Sequence, residues 1–181
     1  MGDNAAVEDY ENLVEVADQS PEGLYEYFGE RGWGDGLPLV APTHDRVEES
    51  LAYADGDPDE PVATLAPRDG LATRRAVAVN AVLAGCRPEY LPVVLTAVRA
   101  LGYQQVNLRG VNATTHPVAP LLIVHGEVVG DLGFNAGLGA FGPGTRANAT
   151  VGRAIRLVLL HVAGARPGPG DASTQGQPSK Y

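Results

Sequence analysis

The chain has 181 residues, 44% of them hydrophobic and 19% charged, which supports the core of one compact domain rather than two. A net charge of −9 argues against nucleic acid or an anionic membrane as the main partner. The single cysteine, Cys86, excludes an internal disulfide, a cysteine-rich zinc site and an iron–sulfur cage built from this chain alone. Charge is unevenly placed: residues 1–60 hold 17 acids against Arg31 and Arg46, while residues 61–181 are mildly basic. The first twenty residues are acidic where a targeting signal is basic, and no apolar run approaches the ~18 residues of a membrane span. A soluble, cytoplasmic protein with no membrane contact is the expectation.

In chain order, residues 1–19 read as an acidic arm that orders only when docked. Ser20-Pro21 starts a helix, with Ser20 as N-cap and Pro21 in the first turn, and the glycines of Gly29 to Gly36 stop it. Leu37 to Ala41 reads as a short strand, after which Thr43 caps a helix through Val47, Leu51 and Ala54. Pro61 to Ala66 is a second strand. Thr73 to Ala84 is an apolar helix closed by Gly85, and Pro92 to Leu101 is another. Asn112 to Pro117 is turn-like, and Leu121 to His125 has the pattern of a buried strand. Gly130 to Gly144 is a glycine loop, and a last long helix begins at Asn148 or Thr150 with Val151, Ile155, Val158 and Val162 on one apolar stripe. From Gly164 to Tyr181 the composition offers almost nothing to bury, as in a tail or an arm for another chain. The expected architecture is α/β or α+β: one layered domain, residues 20–163, of short strands and helices.

Several clusters could carry chemistry. Gly137-Leu-Gly-Ala-Phe-Gly142 matches G-x-G-x-x-G, but Pro143-Gly144 stands where a dinucleotide-binding helix would already run, so that reading fails. It is no phosphate-binding P-loop either, since no Lys-Ser/Thr follows. What remains is a glycine loop opening onto a helix, with Gly142, Gly144, Thr145, Arg146 and Asn148 at its mouth and Arg153 two turns on. Free N–H groups, a positive helix end and a guanidinium suit a carboxylate or phosphate, against the alternative of a structural turn with solvated arginines. In the turn before Leu121, His116 with the Thr114 and Thr115 hydroxyls could move protons or hold a metal, against a purely structural histidine. No His pair has helical metal-ligand spacing. Asn80 interrupts an apolar helix and is either a solvent-facing amide or a buried one that must find partners; with Arg74 and Arg75 one to two turns earlier it could line one pocket. Trp33, between Gly32 and Gly34, walls a pocket or pins its loop to the core. Cys86 follows a helix end whose carbonyls disfavour a thiolate, so it reads as structural.

Gly32-Trp-Gly-Asp-Gly-Leu-Pro38 with Pro42-Thr43 and Arg46-Val47, Ala78 to Tyr90, Asn112-Ala-Thr-Thr-His-Pro117, and Gly142-Pro-Gly-Thr-Arg-Ala-Asn-Ala149 with Gly152-Arg153 form an ordered set. The set resembles the UGSC-like (seleno)cysteine family, over roughly residues 28–181. The resemblance implies an enzyme component whose partner supplies a thiol or selenol in a Gly-Ser-Cys context, which this chain lacks. It also implies a second protein subunit carrying a further cysteine-bearing half. It assigns no active-site residues.

Three functional expectations follow. The first is a subunit of a hetero-oligomeric enzyme holding a small anionic substrate on the glycine loop, Arg146 and Asn148, with lyase, sulfur-transfer or reductive chemistry. The second is a noncatalytic scaffold. The third is a metalloenzyme whose ion is held across an interface by His116 with His44 or Cys86.

Overall fold

Ser20 opens the first helix as its sequence requires: its hydroxyl accepts from the Gly23 N–H, and Pro21 occupies the first turn of α1, Pro21–Glu30. The computed structural model describes residues 13–177. The first part of the expected acidic arm, residues 1–12, and the last four residues of the expected tail lie outside them. Helix α2, His44–Leu51, follows Thr43 and stops a turn short of Ala54. Strands β1, Pro61–Leu65, and β2, Gly70–Thr73, form an antiparallel hairpin with an irregularity between Pro61 and Ala63. Thr73 then caps α3, Arg74–Leu83, its hydroxyl accepting from the Ala76 N–H. The helix closes on Gly85 at φ 85°, with Gly85 N–H bonded to the Val82 carbonyl and Cys86 N–H to that of Ala81. Helices α4, Leu91–Leu101, α5, Leu108–Ala113, α6, Val128–Asp131, and α7, Arg146–His161, complete a mixed α+β domain. Among the described residues there are seven α-helices, two single-turn 3-10 helices at Pro88–Tyr90 and Gln104–Val106, and this one two-stranded sheet.

Helix α3 lies along α7, with α2 and α4 on its other sides and the hairpin against α4. Val77, Ala78 and Ala81 meet Val151, Ala154 and Val158 in the fully buried centre, joined by Val94 and Val98. The expected stripe on α7 is too narrow. Every residue from Ala154 to Leu160 is buried, Arg156 and Leu157 included, so the C-terminal half of the helix is covered on all sides.

The cover comes from the segment expected to have little to bury. Residues 163–171 fold back over the far side of α7, burying Ala163, Ala165 and Asp171. Arg156 donates to the Ala165 carbonyl at 3.0 Å and lies 3.8 Å from Asp171, so the buried guanidinium has both a hydrogen bond and a counter-charge. Arg166 ties this segment to the opposite end of the chain by donating to the Gly32 carbonyl at 2.8 Å.

Two strand expectations are corrected. Leu37 to Ala41 is irregular: the Val40 N–H donates to the Leu83 carbonyl, and the Leu37 and Ala41 carbonyls accept from the side chains of Arg153 and Arg46 rather than from a neighbouring strand. Leu121 to His125 forms no strand and is not buried; Leu121 is 67% exposed and Ile123 75%. Apolarity favours burial, but this segment pairs with neither strand of the hairpin, the one sheet among the described residues, so its backbone stays outside a ladder and its side chains stay uncovered. Helix α7 also begins at Arg146, ahead of Asn148 and Thr150. Among the described residues no helix is long and apolar enough to cross a membrane.

Candidate functional site

The residues singled out by sequence fall into four separate groups. The most strongly bound is Arg153, on the middle of α7. Its Nε and a terminal nitrogen grip both oxygens of Asp35 at 2.7 and 2.8 Å, and it donates to the Leu37 carbonyl at 3.2 Å. The Asp35 side chain is 4% exposed and that of Arg153 17%. Burial would raise the Asp35 carboxyl, but the Arg153 hydrogen bonds and charge, with the Leu37 N–H, hold it below the usual carboxylate range. Arg153 is therefore occupied by its own chain and fastens the Gly32–Pro38 loop to α7.

A second group fastens the other end of that loop. Asn80 is buried: its Nδ2 donates to the Ala76 carbonyl at 2.8 Å, so its Oδ1 takes the Nδ1 proton of His161, 2.6 Å away. Burial, then the Arg166 charge, pulls the His161 imidazole below its ordinary range, against the Trp33 backbone and Asp35. Trp33 sits edge-on to Tyr27 and tilted on Phe28, each centroid 6.1 Å away, so it pins the loop to α1. The cavity nearby, about 210 Å³ between α1 and the loop, is lined by Tyr25, Phe28, Leu37 and Leu39 and does not include Trp33. Arg74 and Arg75, read with Asn80 as one pocket, pair instead with Glu60, Glu48 and Asp59.

The third group is the glycine loop. Asn148 is its clamp: Oδ1 accepts from the Asn135 N–H at 2.9 Å, and Nδ2 donates to the carbonyls of Asn135 and Ala140 at 2.9 and 3.0 Å. Asn135 closes the turn from within, donating to the Leu138 carbonyl and accepting from the Gly137 N–H. With these amides saturated the backbone is held in place, while Leu138 and Phe141 stand fully in solvent. Gly142 and Gly144 are exposed beyond the clamp. Thr145 makes no side-chain cap bond, which leaves the first N–H groups of α7 open. Arg146, the first residue of α7, donates from Nε to the Gly85 carbonyl at 3.0 Å, capping the end of α3. Its terminal nitrogens make no hydrogen bond or ion pair among the described residues.

Cys86 lies under this contact. Burial pushes its thiol up to about 11, against the opposing pull of the Thr150 hydroxyl and the Arg146 charge. Alkylation by iodoacetamide is expected to be slow at pH 8 and to climb with a midpoint near pH 11, rather than near the ordinary 9.0 of a free thiol. A midpoint at or below 9 would mean the thiol is solvent-facing. This supports the structural reading of Cys86.

His116 forms the fourth group. Its Nδ1 lies 3.2 Å from the Thr114 hydroxyl, which also accepts from the His116 backbone N–H. The imidazole is exposed, as is Thr115. The C-terminal segment runs past this turn: the Ser173 hydroxyl donates to the His116 carbonyl, Thr174 N–H to that of Thr115, and Gln177 Nε2 to that of Pro117. The turn is rooted by Asn112, whose Nδ2 donates to the Ala66 carbonyl at 2.9 Å in a buried setting.

No hydrogen bond or ion pair among the described residues joins the His116 turn to Arg146 or the glycine loop. Nor is any group of three or more His, Cys, Asp or Glu placed among them to hold a metal ion; His44 pairs with its neighbour Asp45 at 3.4 Å. Asp35, Asn135, His161 and Arg166 were missed as partners. Only Asp35, an acid in a glycine-rich loop beside a tryptophan, had a signal in its surroundings. No protein-family model matches the chain, and neither the curated proteins nor the solved structures compared with it gave a match.

Proposed function

We propose that this chain is one subunit of a hetero-oligomeric enzyme for a small anionic substrate, whose chemistry is shared with a second polypeptide. The observation that carries the reading is the setting of His116. A histidine–hydroxyl pair stands in solvent at the root of an apolar segment, Val118 to Ile123, that the described chain leaves exposed. Proton transfer works best with water excluded, and a second chain laid over that segment would supply the missing wall. The anion would sit at the open start of α7, drawn by its unpaired N–H groups and by the charge of Arg146, the first residue of the helix, whose terminal nitrogens are not used within the described chain. The likeness to UGSC-like proteins gives the partner the thiol or selenol, and with it lyase, sulfur-transfer or reductive chemistry.

A scaffold role is the second reading, favoured by one observation: Arg153, Asn148 and Asn80 are all consumed by internal bonds. The test uses the complex of this chain with the polypeptide encoded beside it, assayed for thiol-dependent turnover on a panel of small carboxylates and phosphates. His116→Ala is expected to abolish most turnover. Arg146→Ala is expected to lower it ~10-fold or more, the loss of a charge-assisted hydrogen bond, with Arg146→Lys restoring part. Wild-type rates in all three variants would leave the scaffold.

A further inference from the structure

From Pro117 to His125 the chain runs nine residues without a helix, turn or bend, and it carries no charged side chain apart from His125 if protonated. At ~3.3 Å per residue such a stretch spans about 30 Å, longer than most strands. Leu121 and Ile123, two apart, fall on one face and are the more exposed pair, with Leu122 between them less so. The N–H groups of Leu121 to His125 have no hydrogen-bond partner among the described residues. It has the composition of a strand and an unbent course, without a hydrogen-bonded neighbour among the described residues.

The two edges of this segment are not equivalent. In an extended chain alternate residues turn their backbone groups to the same edge, so Pro117 shares an edge with Ala119, Leu121, Ile123 and His125. That edge keeps its donors from Ala119 onward. The other edge includes Pro120, which has no N–H to give. Gln177 already lies on the first edge, holding the Pro117 carbonyl at 2.7 Å.

We infer that the second polypeptide docks by adding a β-strand along this first edge, beside Ala119 to His125, with apolar side chains over Leu121 and Ile123. The inference rests on the heteromeric reading above and names the contact through which it is made. A second copy of this chain fits less well. Two-fold antiparallel pairing over the whole segment would bring His125 of one copy against Pro117 of the other, where Gln177 sits, and would join two chains of net charge −9. Strand addition instead satisfies the open donors and removes an edge that would otherwise invite aggregation.

The experiment is amide hydrogen exchange, followed by mass spectrometry, on the full chain alone and in complex with the polypeptide encoded beside it. Exchange at Leu121, Ile123 and His125 is expected to slow about 100-fold in the complex and not in the isolated chain. Ile123→Pro, which removes a donor from the proposed edge, is expected to weaken the complex at least ~10-fold while the isolated variant keeps the wild-type melting temperature. A complex that forms while these amides exchange at their free rate would overturn strand addition and leave the heteromeric reading standing. Failure of the wild-type chain to form any complex would overturn both. Protection in the isolated chain, with the mass of a dimer, would overturn it in favour of self-pairing.

Discussion

Arg153→Ala is expected to destabilise the folded chain by ~3–5 kcal/mol at pH 7, a large share of the stability of a domain this size. The cost comes from what is left behind. Asp35, with its side chain 4% exposed, would keep its charge and lose the guanidinium that grips both oxygens, leaving only the Leu37 N–H. Urea unfolding of wild type and variant measures the effect directly, and the double variant Asp35→Leu, Arg153→Met is expected to recover most of it because no unpaired charge remains. The pH dependence gives a second, independent check. In the wild type the Asp35 carboxyl is held below its ordinary value, so the pair's contribution is full above about pH 4 and is lost as pH falls through the lowered value. Without Arg153, burial dominates and the carboxyl moves upward, so the variant gains stability relative to wild type as the medium is acidified. The two stability curves should therefore converge as pH falls through the lowered value of Asp35. A gap that stayed constant with pH would assign the loss to packing instead.

Gly170→Ala is the other large effect, at ~3 kcal/mol or more. A methyl at this position would run into the carbonyl of Gly164, which is backbone and cannot swing aside. The turn that carries Ala165 and Asp171 over α7 would have to open, leaving buried Arg156 without its 3.0 Å bond to the Ala165 carbonyl. Gly130→Ala, where a methyl would meet nothing within 4 Å, is the control and is expected to be within ~0.5 kcal/mol of wild type. Thermal melts of the two variants side by side decide it. Equal midpoints would mean that residues 164–171 contribute no packing.

The helices were the legible part of the sequence because their signals are local. Ser20-Pro21, Thr73 and Gly85 each mark a boundary within one or two residues of where α1 and α3 begin or end. Strand β2 escaped because four residues leading straight into a capped helix leave no room for an alternating pattern to show. The run at Leu121 shows the opposite failure: apolar composition specifies a strand, but whether anything lies beside it depends on other parts of the fold. Asp35 and Arg153 lie 118 residues apart, Asn80 and His161 81 apart, and no spacing rule links such pairs. The same distance made a candidate ligand of Arg153 when its charge is already answered within the chain. The glycine loop was legible as an unusual object, and Asn148 as part of it, but its role as a clamp required knowing that Asn135 comes back to meet it.

That clamp has a kinetic consequence. A loop so rich in glycine loses much conformational freedom when it is immobilised, and a protein that must freeze such a loop at the moment of encounter forgoes affinity in doing so. Here the five hydrogen bonds of Asn148 and Asn135 have already set the backbone before anything arrives. The anion proposed for the start of α7 would therefore meet a loop whose backbone is already set, so its encounter needs orientation rather than a search through loop shapes.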